Sequence, residues 1–400
     1  MLIFANDAIN LKQKVIVTTD MKILHTSDLH IGKRVNEYNM LDEQRFIFNE
    51  ILGIAQAEQP EAIILAGDIY DKSIPSAEAV SLFDEFLVEL AKLGKAIFII
   101  SGNHDSPERI SFASRIMEVS KIYLSPVYDG TINPVILHDG ETEVAFYMLP
   151  FIKPSVVLHY AEEGTEIKTY DDAMHYVISK MNIDKSRRNV LIAHQYVTGA
   201  ERSESEDMVI GGLDNVEASA FDSFDYVALG HLHRPQNCGR ETIRYSGSPL
   251  KYSISEVNDK KSVTIIEIKS DEAPVVKECA LKPLHDWHDL RGTYDELTAK
   301  DYYDGKGFQE SYVRITLTDE DDIPDGMRKL RTIYHRLTEL CYDNKRTRAG
   351  MTNIGKPLNV NTLNPAQLFG ELFEKQNAQP LSDKQSEYVN GLIDQIFNNK

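Results

Sequence analysis

Cysteine is scarce in this 400-residue chain. Cys238, Cys279 and Cys341 are too few and too scattered for a disulfide framework or a thiolate metal site, so reduced, inert thiols are expected. Long hydrophobic runs are missing as well, since no stretch approaches the roughly 18 apolar residues that a membrane-spanning helix needs. In the first 20 residues, Ile3-Phe4-Ala5 and Val15-Ile16-Val17 are separated by Asn6, Asp7, Lys12 and Lys14. Neither a signal peptide nor a membrane anchor is expected, and the cytoplasm is the expected compartment. Positive charge is in deficit, with 43 Lys plus Arg against 62 Asp plus Glu and a formal net charge of −19. That balance argues against a generic DNA coat or a binder of anionic membranes, while a nucleic-acid substrate stays open through a local patch. The remaining composition, 42% hydrophobic and 26% charged, is that of an ordinary globular protein of two or three domains.

From Met21 onward, short apolar runs each end in a polar cluster. Lys22–His25 leads into Thr26-Ser27-Asp28-Leu29-His30, Ala62–Ala66 into Gly67-Asp68, and Ala96–Ile100 into Ser101-Gly102-Asn103-His104-Asp105. Leu41–Ala57 and Ser76–Leu93 carry apolar residues at helical spacing between them, and Gly94 is a suitable stop for the second. The alternation predicts βαβ units, and it recurs at Val190–Ala193 before His194 and at Tyr226–Leu229 before Gly230-His231-Leu232-His233. A sheet whose strand ends share one edge would bring these clusters together. Residues 1–20 match nothing such a domain needs and are expected to be an N-terminal extension, with Met21 a natural start.

After Val263–Ile268, the stretch Lys269–Pro283 is charged, holds two prolines and has no regular period, and is expected to connect domains. Tyr312–Leu317, Gly326–Arg336 and Leu337–Tyr342 predict a small strand-helix-strand unit, and Lys345–Pro357 a second linker. In the tail, Asn364-Pro365 can start one helix, and Ser382-Asp383-Lys384-Gln385 is a capping-box pattern before another. Their apolar stripes, Leu368, Phe369, Leu372 and Phe373, then Tyr388, Val389, Leu392, Ile393, Ile396 and Phe397, require a partner surface, in this chain or in another.

Asp28-x-His30, Gly67-Asp68-x-x-Asp71, Gly102-Asn103-His104-Asp105, His194 at a strand end and Gly230-His231-x-His233 together contain every ligand type that a dinuclear metal site requires. Carboxylates bridge and neutralise two cations, imidazoles suit first-row metals, and an amide oxygen is a neutral donor that leaves a position open. Each cluster alone is weak, because a lone His after a strand is more often packed or hydrogen-bonded than a ligand. Five in this order, each ending an apolar strand, point to metal chemistry. His25 is expected to be a strand residue.

Asp28-Leu29-His30, Gly67-Asp68, Gly102-Asn103-His104-Asp105, His194 and Gly230-His231-Leu232-His233 resemble, in order, the motifs of the calcineurin-like metallophosphoesterases. The longer segments Thr26–Lys33, Ala66–Asp71 and Ser101–Ser106, with Tyr245-Ser246-Gly247-Ser248-Pro249-Leu250, resemble the bacterial SbcD branch, the nuclease subunits of SbcCD complexes. The resemblance implies an α/β fold: a metallophosphoesterase sheet sandwich flanked by helices over 21–270, a small α+β capping domain over 284–345 for DNA-end recognition, and a helical partner-binding tail over 361–400. It implies two Mn2+ ions, with Mg2+ the alternative, one held by Asp28, His30 and His233 and the other by Asn103, His194 and His231, with Asp68 bridging. It implies that His104 protonates the leaving group, and Asp105 is expected to orient its ring. Asp71 stands where some relatives carry His. Lys33, Arg34, Arg109 and Arg234 are expected as phosphate contacts.

The implied function is manganese-dependent cleavage of DNA, as a double-strand exonuclease and a single-strand or hairpin endonuclease in end processing, repair and recombination. The implied partners are DNA, an SbcC-like ATPase in a heterotetramer and a second copy of this chain. No G-x-x-x-x-G-K-[ST] pattern is present, so an ATPase must come from another chain. Two alternatives stay open. One is a phosphoesterase acting on a small phosphodiester or phosphomonoester, and the other is a metal-bound, non-catalytic scaffold of an SMC-like complex.

Overall fold

Strands buried on both faces need continuous apolar runs, and Ala62-Ile63-Ile64-Leu65-Ala66 and Ala96-Ile97-Phe98-Ile99-Ile100 are such runs, every residue of them buried. In the computed structural model, which describes residues 21–139, 142–204, 206, 215–352, 365–377 and 379–397, they lie side by side in a six-stranded sheet. Its order is Val275–Ala280, Ser262–Ile268, Met21–Thr26, Ala62–Ala66, Ala96–Ile100, Ile122–Leu124. The last four strands run parallel. A second six-stranded sheet has the order Gln236–Cys238, Arg240–Tyr245, Tyr226–Gly230, Arg188–His194, Thr142–Met148, Val135–Asp139, with its four inner strands parallel.

The sheets face each other across a core of Ile64, Phe98, Ile100, Phe146, Val190, Ile192, Tyr226, Ile266 and neighbours, in which Phe98 and Phe146 stack with centroids 4.4 Å apart. The helix Leu41–Glu58 packs against Ala77–Ala91 through stacked Phe48 and Phe86, and Tyr170–Lys180 covers the second sheet with Ala173, Met174 and Val177. Ser76 caps the second of these helices by accepting from the Ala79 N–H, and Gly94 adopts φ +70° just beyond its end. This sandwich with flanking helices is the α/β architecture expected. Residues 1–20 lie outside the described residues; the first strand begins at Met21. No helix among the described residues is long and apolar enough to cross a membrane.

Two expectations of connecting segments are corrected. Within Lys269–Pro283, Val275–Ala280 pairs antiparallel with Ser262–Ile268 as an edge strand. Charged Lys277 and Glu278 and the preceding Pro274 mask its period, as they do on edges that must not pair further. Lys345–Thr352 is a helix rather than a linker, because buried Asn344 accepts from the Thr347 N–H and starts it; 353–357 lie outside the described residues.

The chain divides between Leu284 and His285 into two compact units. The second unit holds a parallel three-stranded sheet, Trp287–Gly292, Tyr312–Leu317 and Arg336–Tyr342, on a core of Leu290, Leu297, Val313, Ile315, Leu317, Leu330, Tyr334 and Leu337. The helix expected over Gly326–Arg336 stops at Leu330, where the Thr332 hydroxyl turns back to the Lys329 carbonyl. Two tail helices, Pro365–Asn377 and Asp383–Phe397, follow. The Gln385 side chain accepts from the Ser382 N–H, one half of the expected capping box.

Candidate metal centre

The clusters sit where parallel strands of both sheets end. Asp28 and His30 follow the strand Met21–Thr26, Asp68 follows Ala62–Ala66, Asn103 follows Ala96–Ile100, His194 ends its strand, and His231 and His233 follow Tyr226–Gly230. Asp28, His30 and Asp68 have φ of +53°, +44° and +48°, left-handed conformations that cost free energy in residues other than glycine and concentrate at functional sites. The turns are locked by Asp28 N–H donating to the Gly67 carbonyl at 3.0 Å and His30 N–H to the Asp68 carbonyl at 2.9 Å. Gly67 itself, at φ +88°, has no room for a side chain, since a Cβ would lie 2.5 Å from His194 Nδ1.

The side chains converge as one cluster. Donor atoms of Asp28, His30 and His233, of Asp28, Asp68 and His194, and of His30, Asp68 and His104 each lie within 4.8 Å of one another. Asn103 Oδ1 is 3.1 Å from His194 Nε2 and 2.9 Å from His231 Nδ1. Asp68 Oδ2 lies 3.3 Å from His194 Nε2 and 3.6 Å from His30 Nε2, between the two groups. His30, His194 and His233 are all but inaccessible to solvent.

Without cations this arrangement is electrostatically awkward. Burial pushes the Asp28 carboxyl up to about 6 despite the neighbouring histidines. Burial opposes charge on His194, yet Asp68 and Asp28 outweigh it and hold that ring up at about 9. Burial opposes charge on Asp68 too, but the surrounding imidazoles keep it below the usual carboxylate range. Burial, with His194 beside it, pulls His231 down to about 3. His30 Nε2 faces His233 Nε2 at 3.0 Å, and His30 Nδ1 is buried with no hydrogen-bond partner. Divalent cations fit such a donor set: they neutralise paired carboxylates and take lone pairs that nothing else occupies. The cluster is a binuclear metal-binding site.

His104 occupies the accessible side of the cluster, with its side chain 22% exposed. Its backbone N–H donates to Asp68 Oδ1 at 2.9 Å, its Nδ1 lies 3.0 Å from the Asp71 carbonyl, and its Nε2 is 4.0 Å from Asp68 Oδ2. The expectation that Asp105 orients this ring is corrected. Asp105 accepts from the backbone N–H groups of Ile69 and Gly102 through Oδ2 and of Tyr70 through Oδ1, so it ties the loop carrying Asp68 to the loop carrying Asn103. The ring is held instead by the Asp71 main chain.

The expected phosphate contacts do not share one environment. Lys33 is bonded to Asp71 Oδ1 at 2.9 Å, at the edge of the cluster. Arg34 donates to the Glu37 carbonyl, and Arg109 is exposed in the short helix Pro107–Ile110. Arg234 is committed to Asp259 and Glu201. His25 lies in the core, bonded to the Tyr226 hydroxyl at 2.9 Å.

Three residues escaped the sequence reading. Glu206 accepts from the His233 N–H at 2.6 Å, and Glu256 and Lys261 form a buried pair behind the His233 ring. All lie in polar stretches with the composition of surface turns, so nothing in their spacing marks them.

Residues 21–235, which include every donor named above, match the family of calcineurin-like phosphoesterases, and residues 281–377 match the Type 5 capsule protein repressor C-terminal domain. Among curated relatives, the SbcD component of the SbcCD nuclease of Staphylococcus epidermidis is 35% identical over 324 residues, covering 80% of this chain and 85% of its own. The protein of the same name from Staphylococcus saprophyticus is 33% identical over 319 residues, covering 78% and 82%. Among solved structures, a dimetal phosphatase from Danio rerio is 12% identical with a TM-score of 0.38, over 64% of this chain and 95% of that one.

Proposed function

The chain belongs to the calcineurin-like phosphoesterases and, within them, to the SbcD nuclease family, and from that premise we propose that it is a manganese-dependent DNA nuclease working with an SbcC-like ATPase. The observation that carries the proposal is the two-sided cluster around Asp68 with His104 on its accessible side. Asp28, His30 and His233 would hold one Mn2+ and Asn103, His194 and His231 the other, with Asp68 shared; Mg2+ is the alternative. Two bound cations supply Lewis acidity toward a phosphodiester oxygen and lower the pKa of an attacking water. The chain's own residues position and protonate: the Asp71 carbonyl accepts a hydrogen bond from His104 Nδ1–H, which keeps that proton on Nδ1 and leaves Nε2 to give a proton to the leaving oxygen. Asp105 keeps the Asp68 and Asn103 loops in register.

Cleavage assays test this directly. With Mn2+ the protein is expected to cleave short single-stranded DNA by itself and, with its ATPase partner present, to degrade linear duplex and nick hairpin DNA, and chelation is expected to abolish all three. Turnover of a small chromogenic phosphodiester without any DNA cleavage would favour the small-substrate phosphoesterase. Metal binding with neither activity would favour the scaffold.

Partner binding is assigned to the tail and to an apolar patch. The tail helices face each other across a groove of about 570 Å³ lined by Phe369, Phe373, Leu381, Tyr388, Leu392 and Ile393, in which Tyr388 remains 69% exposed. Helices of this length are marginal alone in water, and an open apolar groove between them suits a partner helix. Removing residues 361–400 is expected to abolish co-purification with an SbcC-like ATPase while leaving cleavage of short single-stranded DNA within about twofold, since no metal donor lies there. If cleavage collapses with it, the tail is a structural part of this chain. Phe112, Ile116 and Val119, each more than three-quarters exposed, form the surface we assign to a second copy of the chain.

A further inference from the structure

Glu256 and Lys261 lie outside every cluster that carries a metal donor, yet they are 0% and 5% exposed. A buried ion pair is a weak source of stability, because desolvating two charges opposes their attraction. What this pair touches gives it another role. Glu256 Oε2 accepts from Lys261 Nζ at 2.6 Å, and Glu256 Oε1 lies 3.4 Å from His233 Nδ1. Lys261 Nζ also donates to the His233 carbonyl at 2.7 Å and to Ser248 Oγ at 3.0 Å. The pair therefore grips His233 at two points, its ring and its main chain.

The segment that delivers the pair is built around that residue. Ser248 belongs to Tyr245-Ser246-Gly247-Ser248-Pro249-Leu250, whose role the metal donors do not explain. Its N–H donates to the His233 carbonyl at 3.1 Å, and Gly247, at φ +79°, passes so close that a Cβ would meet that carbonyl at 2.6 Å. The Tyr252 N–H donates to Glu256 Oε1 at 3.3 Å, and the Tyr252 hydroxyl to the Leu29 carbonyl at 2.5 Å, which ties the same segment to the loop carrying Asp28 and His30.

A neutral imidazole has one N–H, and the partner of that N–H decides which nitrogen keeps a lone pair. A carboxylate at Nδ1 draws the proton there and leaves His233 Nε2, the atom facing His30, free to bind a cation. The other histidines are held differently. His194 Nδ1 lies 2.8 Å from the Ala66 carbonyl, and His30 Nδ1 makes no hydrogen bond, with the Asp71 carboxylate 3.8 Å away, outside hydrogen-bond reach. We infer that Glu256 is a positioning residue, balanced by Lys261, that fixes the tautomer and orientation of His233 and so sets the affinity of the Asp28, His30 and His233 half of the centre without acting on the other half. The inference rests on the two-metal reading of the site.

The test compares two charge-free variants of the full chain, Glu256→Gln/Lys261→Met and Glu256→Met/Lys261→Met. Both leave no unpaired buried charge and have similar volume, but only glutamine can accept a hydrogen bond from Nδ1–H. Metal-free protein is titrated with Mn2+ by calorimetry, and folding is followed by thermal melting in chelator. The wild type is expected to bind two equivalents, and the glutamine variant to follow it. The methionine variant should lose about 10–100-fold in affinity for one equivalent only, the range seen when an outer partner of a metal-bound histidine is removed. Wild-type affinity for both equivalents in the methionine variant, or equal losses in both variants, would overturn the inference. A wild type that binds fewer than two ions would instead undo the two-metal reading. If neither variant folds, ¹⁵N shifts of histidine-labelled wild type decide: a proton on His233 Nδ1 supports the inference, and the Nε2–H tautomer refutes it.

Discussion

Asp68→Asn is expected to strip the protein of coupled metal binding and of activity together, whereas His104→Gln keeps both metals and slows hydrolysis by about 10²–10⁴-fold, the usual worth of a positioned general acid. The contrast follows from where each side chain points. Asp68 Oδ2 lies between His30 and His194, and its Oδ1 accepts from the His104 N–H, so it faces both halves of the cluster and braces the loop after Ala96–Ile100. An amide there cannot neutralise two cations. His104 turns Nδ1 to the Asp71 carbonyl and stands on the accessible side, and glutamine can keep the fold of that loop without carrying a proton near neutral pH. Metal analysis of the purified variants, read beside single-turnover cleavage rates, separates the two. Loss of metal from His104→Gln as complete as from Asp68→Asn would make His104 a ligand, which its place within 4.8 Å of His30 and Asp68 also allows.

Gly230→Ala is expected to damage stability and metal binding at once, although it adds one methyl group. Gly230 ends the strand Tyr226–Gly230 of the second sheet, and a Cβ there would fall 2.0 Å from the Ala66 carbonyl oxygen of the first sheet and 2.7 Å from His194 Nδ1. That carbonyl is the hydrogen-bond partner of the His194 ring. The methyl group must push apart the strand ends from which Asp68 and His231 are projected, or displace the ring. Overpacking of this kind costs about 1–3 kcal/mol, and losing a buried hydrogen bond adds roughly 1 kcal/mol. In a unit of this size the melting temperature should fall by roughly 5–10 °C in chelator. Gly53→Ala is the control: it lies in the helix Leu41–Glu58 with nothing within 4 Å of its Cβ position, and should stabilise by about 0.5–1 kcal/mol. If Gly230→Ala melts with the wild type and binds Mn2+ as tightly, the two sheet edges are more compliant than their contact distance indicates.

The sequence by itself determined what is local. Apolar runs such as Ala62–Ala66 and Ala96–Ile100, short, rich in isoleucine and bounded by glycine-containing polar clusters, suit strands of a sheet covered on both faces. The metal-donor types Asp, His and Asn directly after those strands are chemistry written beside structure, and so were legible before any coordinate. Only the tertiary structure decided what depends on distant chain segments meeting. Asp105 sits next to His104 in the chain yet serves the backbone of residues 69, 70 and 102, because its direction is set by the neighbouring turn and not by adjacency. Val275–Ala280 becomes a strand only because Ser262–Ile268 offers it a free edge, a pairing that no period in its own charged residues announces. Glu256 and Lys261 read as solvated turn residues until the chain folds over His233, at which point the ion pair is buried and Lys261 is bonded to the His233 carbonyl.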